Sequence, residues 1–327
     1  MKTASGAALL TGAVMLTAAL GNARGESAAP APVRDAEIMP LAASGLLLDI
    51  VNTGKHLIAV GDRGNIVVSN DGVGWAQVPA PIRSALTAVT FADADHGWAV
   101  GHDAVILHTQ DAGRSWTMQH FAPELEQPIL DVYFLNRQRG YAVGAYGLFL
   151  QTTDGGQSWE EVEAPAIRDD EYHFNALLQL GDGSFFVVGE IGMMGWSADG
   201  GEWMRLQAPY EGTLFGAVAR GRRGAIIYGL RGNVYLTDDV NSGEWTKIET
   251  NSVQSMYGGT ILPNGNPAMV GLNGSVMVLR PDGSVQLDKV ESIAGTLGSG
   301  TLANAVPWED GLIAVGELGV SSVQLDR

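Results

Sequence analysis

The 327-residue chain contains no cysteine. That excludes disulfides, thiolate metal centres and a lipid-anchored cysteine. Basic residues are scarce, 19 Lys and Arg against 36 Asp and Glu, for a net charge of −17. So acidic a surface repels nucleic acid and anionic lipid headgroups, and neither is expected as a partner. The one long uncharged stretch rich in alanine and leucine lies near the start, from Gly6 to Gly21, and no later apolar run approaches membrane-spanning length. Charged residues make up 17% of the chain and proline numbers 13.

Glycine is abundant, with 44 copies, and 46% of residues are hydrophobic. Many tight turns around a sizeable core follow from that mixture. The opening segment reads as an export signal. Lys2 supplies the positive start, and "GAALLTGAVMLTAALG" (Gly6 to Gly21) the apolar stretch. "GNA" (Gly21 to Ala23) and "SAA" (Ser27 to Ala29) supply the small residues of a cleavage site. The expected division is a signal peptide over 1–23, with cleavage as late as 29 as the alternative, an extension over 24–34, and one domain over 35–327. A soluble periplasmic protein without direct membrane insertion is expected.

One unit repeats along the rest. An apolar strand ending in glycine recurs as "HLIAVG" (to Gly61), "HGWAVG" (Gly101), "RGYAVG" (Gly144) and "FFVVG" (Gly189). It continues as "AIIYG" (Gly229), "PAMVG" (Gly271) and "LIAVG" (Gly316), at intervals of 40 to 45 residues. Another strand precedes each copy, a glycine turn and a third strand follow, and a short fourth strand starts at a tryptophan in five units. Four short strands in about forty residues make one antiparallel blade. The glycine-ended strands are apolar throughout, as strands covered on both faces are. An all-β, seven-bladed propeller with four-stranded antiparallel blades is therefore expected. The last unit ends after its third strand, so "DAEIMP" (Asp35 to Pro40) is expected to complete the last blade and close the ring.

The turn before the fourth strand carries S/T-x-D-x-G-x-x-W. Thr109, Asp111, Gly113 and Trp116 match it, as do Thr152, Asp154, Gly156 and Trp159. The aspartate suits backbone N–H donors, the glycine an unusual backbone angle and the tryptophan inter-blade packing, a structural role. A calcium loop would need oxygen ligands over a longer run. These Asp-boxes, with "GWAVG" and "GYAVG", resemble the photosystem II stability/assembly factor-like family with BNR repeats, over roughly residues 41 to 325. The resemblance implies a seven-bladed assembly factor that binds protein subunits. The arginine-rich patch of the photosynthetic members has no residue-by-residue match here, so a non-photosynthetic bacterial member is expected. Some such relatives are encoded beside RND-type exporters.

The turns after the glycine-ended strands share a rim with the inter-blade loops. Their interior residues are Asp62, Arg63, His102, Asp103, Tyr146, Glu190, Arg231, Asn273 and Glu317. These are the candidate interaction residues, expected around the mouth of the central channel. Glycoside hydrolysis would need two carboxylates about 5–10 Å apart. Glu190 with Glu317, or Asp62 with Asp103, are the candidates. A sialidase would also need a third arginine and an acid beside Tyr146, and sialidases resemble this chain with one blade fewer. The six histidines make no metal motif and no cofactor motif is present, so neither metal nor cofactor is expected. Two longer connections, 120–128 and 161–174, are acidic, and "ARGRRG" (Ala219 to Gly224) is the one dense basic cluster. The expectation is a non-catalytic interaction scaffold or accessory factor for an envelope or membrane complex, with an RND-type exporter among the candidates. A glycan hydrolase or a binder of small polar ligands is the alternative.

Overall fold

The computed structural model describes residues 33–289 and 300–325. The expected signal segment lies outside the described residues. The chain folds into a seven-bladed β-propeller of antiparallel sheets. The inner strands are Leu47–Asn52, Leu86–Phe91, Ile129–Phe134, Phe174–Gln179, Leu214–Arg220, Met256–Ile261 and Leu302–Trp308. Each packs against the inner strands on both sides, and the first meets the last. Asn304 of blade 7 donates its Nδ2 to Asp49 of blade 1 at 2.6 Å across that junction.

The second strands lie one place outward and are covered on both faces. Leu57–Gly61, Gly97–Gly101, Gly140–Gly144 and Phe185–Gly189 are buried at every residue. Burying an aliphatic or aromatic side chain stabilises by about 1.5–3 kcal/mol, so these strands anchor the inter-blade cores. Trp98 shows the packing: it stacks on Phe134 of the next blade at 3.4 Å and 4°. Its indole N–H donates to the Gly155 carbonyl of that blade's Asp-box turn at 3.2 Å.

Six described blades have four strands and the seventh has three. The N-terminal segment closes the ring against that last blade, in a form unlike a regular ladder strand. A single 3-10 turn, Ala42–Ser44, lies against the third strand, Gly319–Gln324. It comes so close that a Cβ on Gly319 would collide with the Ala43 carbonyl. Asp35–Pro40 instead runs along the outside of blade 1. The Ala36 amide donates to the Ala80 carbonyl at 2.9 Å, and Gln77 bonds Met39 and Glu37. Pro40 and the 3-10 turn redirect the chain between these two contacts.

The Asp-boxes form self-contained turns. The Asp111 carboxylate accepts the Ser115 amide at 2.9 Å, its hydroxyl at 2.6 Å and the Thr109 hydroxyl at 2.8 Å. Asp154 repeats this with Ser158 and Thr152. Those bonds hold the Asp154 carboxyl at about 2, led by the Ser158 hydroxyl. The box glycine is also where the preceding blade leans in. A side chain on Gly113 would strike Ile58 on the second strand of the blade before, and one on Gly200, in the corresponding turn of blade 4, would strike Tyr141 on the same strand of blade 3. One on Gly156 would strike Gln119 on the fourth strand of blade 2 and crowd Trp98. The repeated turn is thus half of an inter-blade joint.

Candidate functional site

The turns following six of the second strands share one conformation. Each is a single 3-10 turn whose middle residue has positive φ: Arg63, Asp103, Tyr146, Ile191, Arg231 and Asn273, between 53° and 59°. That geometry lifts the middle side chain off the rim. Tyr146 and Ile191 are each 54% exposed. A β-branched residue in this region is strained, so Ile191 is the outlier of the set. Blade 7 replaces the 3-10 turn with a tight hairpin at Glu317 and Leu318.

The sequence placed nine polar or aromatic residues around the channel mouth. The structure ties many of them to the loop that enters their own blade. Glu190 accepts the His173 amide at 2.9 Å, with the His173 ring 3.9 Å from it. Asp103 accepts the Ser84 hydroxyl in a short bond. Glu317 accepts the Thr301 amide at 3.2 Å, and Asn273 donates to Gln254 at 3.1 Å. The Arg231 amide instead donates to the Ser255 hydroxyl of the loop entering the next blade, at 3.2 Å. Asp62 accepts the Arg63 amide at 2.8 Å and lies 3.5 Å from its guanidinium. His102 is exposed, and its amide donates to Ala85. Tyr146 meets the His173 ring edge-on at 4.8 Å.

The mouth itself is built from other residues. A cavity of about 510 Å³ opens on the axis, lined by one or more residues of every blade. Of the nine candidates, only Glu317 lines it. The cause is a β-bulge near the start of each inner strand, where the register against the second strand slips by one residue. The bulged residues are Leu48, Thr87, Leu130, Asn175, Phe215, Tyr257 and Ala303, and all seven line the cavity. A bulge re-aims one side chain, and seven in register turn a ring of them into the opening. Phe215 and Tyr257 form an aromatic wall, with centroids 4.8 Å apart and planes tilted by 55°.

Immediately below the bulge, blades 1 and 3 carry Asp49 and Asp131. Asp49 accepts the Val89 amide at 2.7 Å and Asp131 the Leu177 amide at 2.8 Å. Each therefore satisfies a free-edge N–H on the inner strand of the next blade. Desolvation pushes the Asp49 carboxyl up to about 6. It pushes Asp131 to about 7, with the charge of Asp49 adding to the rise. The Tyr228 hydroxyl is raised too, by burial and by both carboxylates. Its ring occupies space that only glycine at 216 and 259 leaves open. Reading the rim turns as the mouth missed these residues. The available signal was an aspartate at the same repeat position in "LLLDIV" and "ILDVYF".

A second cleft, of about 620 Å³, lies beside Tyr146 and is lined by Glu163, Arg168, Asp169 and Glu171. The long acidic connection forms it through a four-residue helix, Pro165–Arg168. Arg168 fastens that loop to the rim by donating to the Gly147 carbonyl at 2.9 Å and to Glu161 at 2.8 Å. The basic cluster stands on the opposite rim, where Arg220 pairs with Asp238 and Arg223 with Asp182 and Asp239. Among the described residues no three His, Asp or Glu side chains gather as a metal site, and no helix is long and apolar enough to cross a membrane.

Among solved structures, the chain is similar to YCF48 bound to D1 peptide, with TM-score 0.68 and 18% identity over 90% of this chain and 98% of that one. It is also similar to YCF48 from Cyanidioschyzon merolae, with TM-score 0.65 and 19% identity over 87% and 96%. At such identities the likeness concerns the fold. A stretch of 52 residues is 40% identical to the chloroplastic photosystem II stability/assembly factor HCF136 of the same alga (strain NIES-3377 / 10D). That stretch covers 15% of this chain and 12% of the relative. The family model described as Photosynthesis system II assembly factor YCF48 matches residues 67–127 and 117–286. Those matches span more than half of the sequence, and the chain belongs to that family.

Proposed function

We propose that the protein is a non-catalytic interaction scaffold that holds a polypeptide segment of a membrane-associated complex on its inter-blade rim. The carrying observation is the apolar character of that rim around a preformed mouth. Tyr146, Ile191, Leu318 and Leu46 are exposed there, beside a cavity walled by Phe215, Tyr257 and two leucines. Exposed apolar residues grouped at a concavity favour a partner over solvent. The rim carboxylates accept donors from neighbouring loops, an arrangement suited to rigidity. The similar YCF48 is described as bound to a D1 peptide, which favours a polypeptide as the occupant here too.

The finer parts of the proposal rest on sequence. Residues 1–23 read as an export signal, which points to the periplasm. Resemblance to relatives encoded beside RND-type exporters makes such an exporter one candidate complex, and a photosystem subunit is the other. Crosslinked capture from intact membranes tests the proposal. One defined membrane protein is expected, and its identity decides between the candidates. Tyr146→Ala combined with Ile191→Asn is expected to lower recovery at least about fivefold, the loss of a modest contact patch. Unchanged recovery overturns the use of this face.

A further inference from the structure

The channel mouth has a layered chemistry that selects its guest. At the lip stands the exposed carboxylate of Glu317. Next comes the collar of Leu48, Leu130, Phe215 and Tyr257. One residue further along the inner strands, beneath the cavity lining, stand the half-buried Asp49 and Asp131, whose carboxyls desolvation raises. The cavity lining contains no lysine, arginine or histidine. Its volume, about 510 Å³, is that of a small-ligand site.

Different guests fare differently against these layers. An anion meets the Glu317 carboxylate and no counter-charge in the lining, with two more acidic side chains below it. A neutral apolar group fills the collar and leaves the carboxylates below it desolvated and uncompensated, which is costly. A cation on a slender apolar stem suits every layer. The stem packs against the leucines, the aromatic faces attract the charge, and the carboxylates below neutralise it. Asp131 accepts the Val132 and Leu177 amides, which occupy two of its roughly four acceptor positions. The floor therefore keeps acceptor capacity for an ammonium group.

We propose that the channel mouth binds an alkylammonium group, carried by a lysine side chain of the docked polypeptide and seated between the Phe215–Tyr257 wall and the carboxylates of Glu317, Asp49 and Asp131. This rests on the scaffold function and names the residue type that anchors its partner. The raised carboxyls agree with it: a cation placed beside them reverses the effect of desolvation and favours their charged form.

Calorimetric titration of the full chain tests this with three probes. They are the peptide acetyl-Ala-Leu-Lys-Leu-Ala-amide, the same peptide with norleucine in place of lysine, and free hexylammonium. The lysine peptide is expected to bind at least about tenfold tighter than the norleucine peptide. Glu317→Gln and Phe215→Leu are each expected to weaken the lysine peptide about three- to tenfold and to leave any norleucine binding unchanged. Glu317 is exposed, so its variant is expected to fold whatever the outcome at the two half-buried acids. Equal binding of the two peptides overturns the proposal, as does absence of saturable binding by all three probes. Hexylammonium binding as tightly as the lysine peptide overturns the polypeptide as the source of the amine. Membrane-partner capture that is lost in the Tyr146 and Ile191 double variant but unaffected by Glu317→Gln and Phe215→Leu overturns this inference and keeps the scaffold. Lysine selectivity without any capture overturns the scaffold alone.

Discussion

Ile191 stands at φ 53 with more than half its surface in solvent. Neither fact favours folding, since left-handed backbone costs an L-residue about 1–2 kcal/mol and the exposed side chain gains little from packing. Asparagine tolerates this conformation better. Ile191→Asn is therefore expected to raise stability by about 0.5–1 kcal/mol, read by urea denaturation, while lowering partner capture. A variant that loses stability would remove the strain argument. At the channel floor, Asp49 and Asp131 have raised carboxyl pKa values near 6 and 7. The folded chain then keeps protons there that the unfolded chain has released. Stability is expected to fall as pH rises from about 4 to about 7, on the order of 3 kcal/mol for each group. Asp131→Asn should flatten that fall, checked by denaturation at pH 4.5 and 7.5. Asp154, held at about 2, has the opposite sign: its contribution is present above the ordinary aspartate value and is lost as pH falls through 2.

Between residue and ring lies the joint formed by one blade's Asp-box and the second strand of the blade before it. The sequence motif identified the box, and the hydrogen bonds of Asp111 and Asp154 fit the role that its residue types imply. What the motif did not reveal is the other half of the joint. Gly113 faces Ile58, and Gly156 faces Gln119 and Trp98, all in the blade before. Gly113→Ala is expected to destabilise by about 1–3 kcal/mol, from positive φ and the collision with Ile58. Trimming the neighbour as well, with Ile58→Val, should recover part of that loss in a double-mutant cycle. Strictly additive effects would place the cost in the backbone angle alone. The bulges of the inner strands belong to this scale too. In the sequence their residues differ, from leucine through threonine and asparagine to tyrosine, so no composition marks them. Only the slipped register against the second strand identifies them.

For the whole molecule, closure joins residues far apart in the chain. Asp49 receives hydrogen bonds from Asn304 of the last blade and Val89 of the second, and so clamps three blades. Asp49→Ala and Asn304→Ala are expected to show a coupling energy of about 1–3 kcal/mol in thermal denaturation, since either loss strands the partner's half-buried polar group. Zero coupling would mean that packing alone closes the ring. The repeat by itself determined the number of blades, their strand order and the blade at which the ends meet. A local pattern of apolar strands and glycine turns recurs seven times, and each copy dictates the same local structure. Tertiary structure alone decided what the axis presents. Bulges turned side chains from seven distant segments into one opening, and the rim residues that looked available in the sequence were drawn into holding their own loops. That outcome depends on where the ring places each strand edge, a distance that no stretch of forty residues contains.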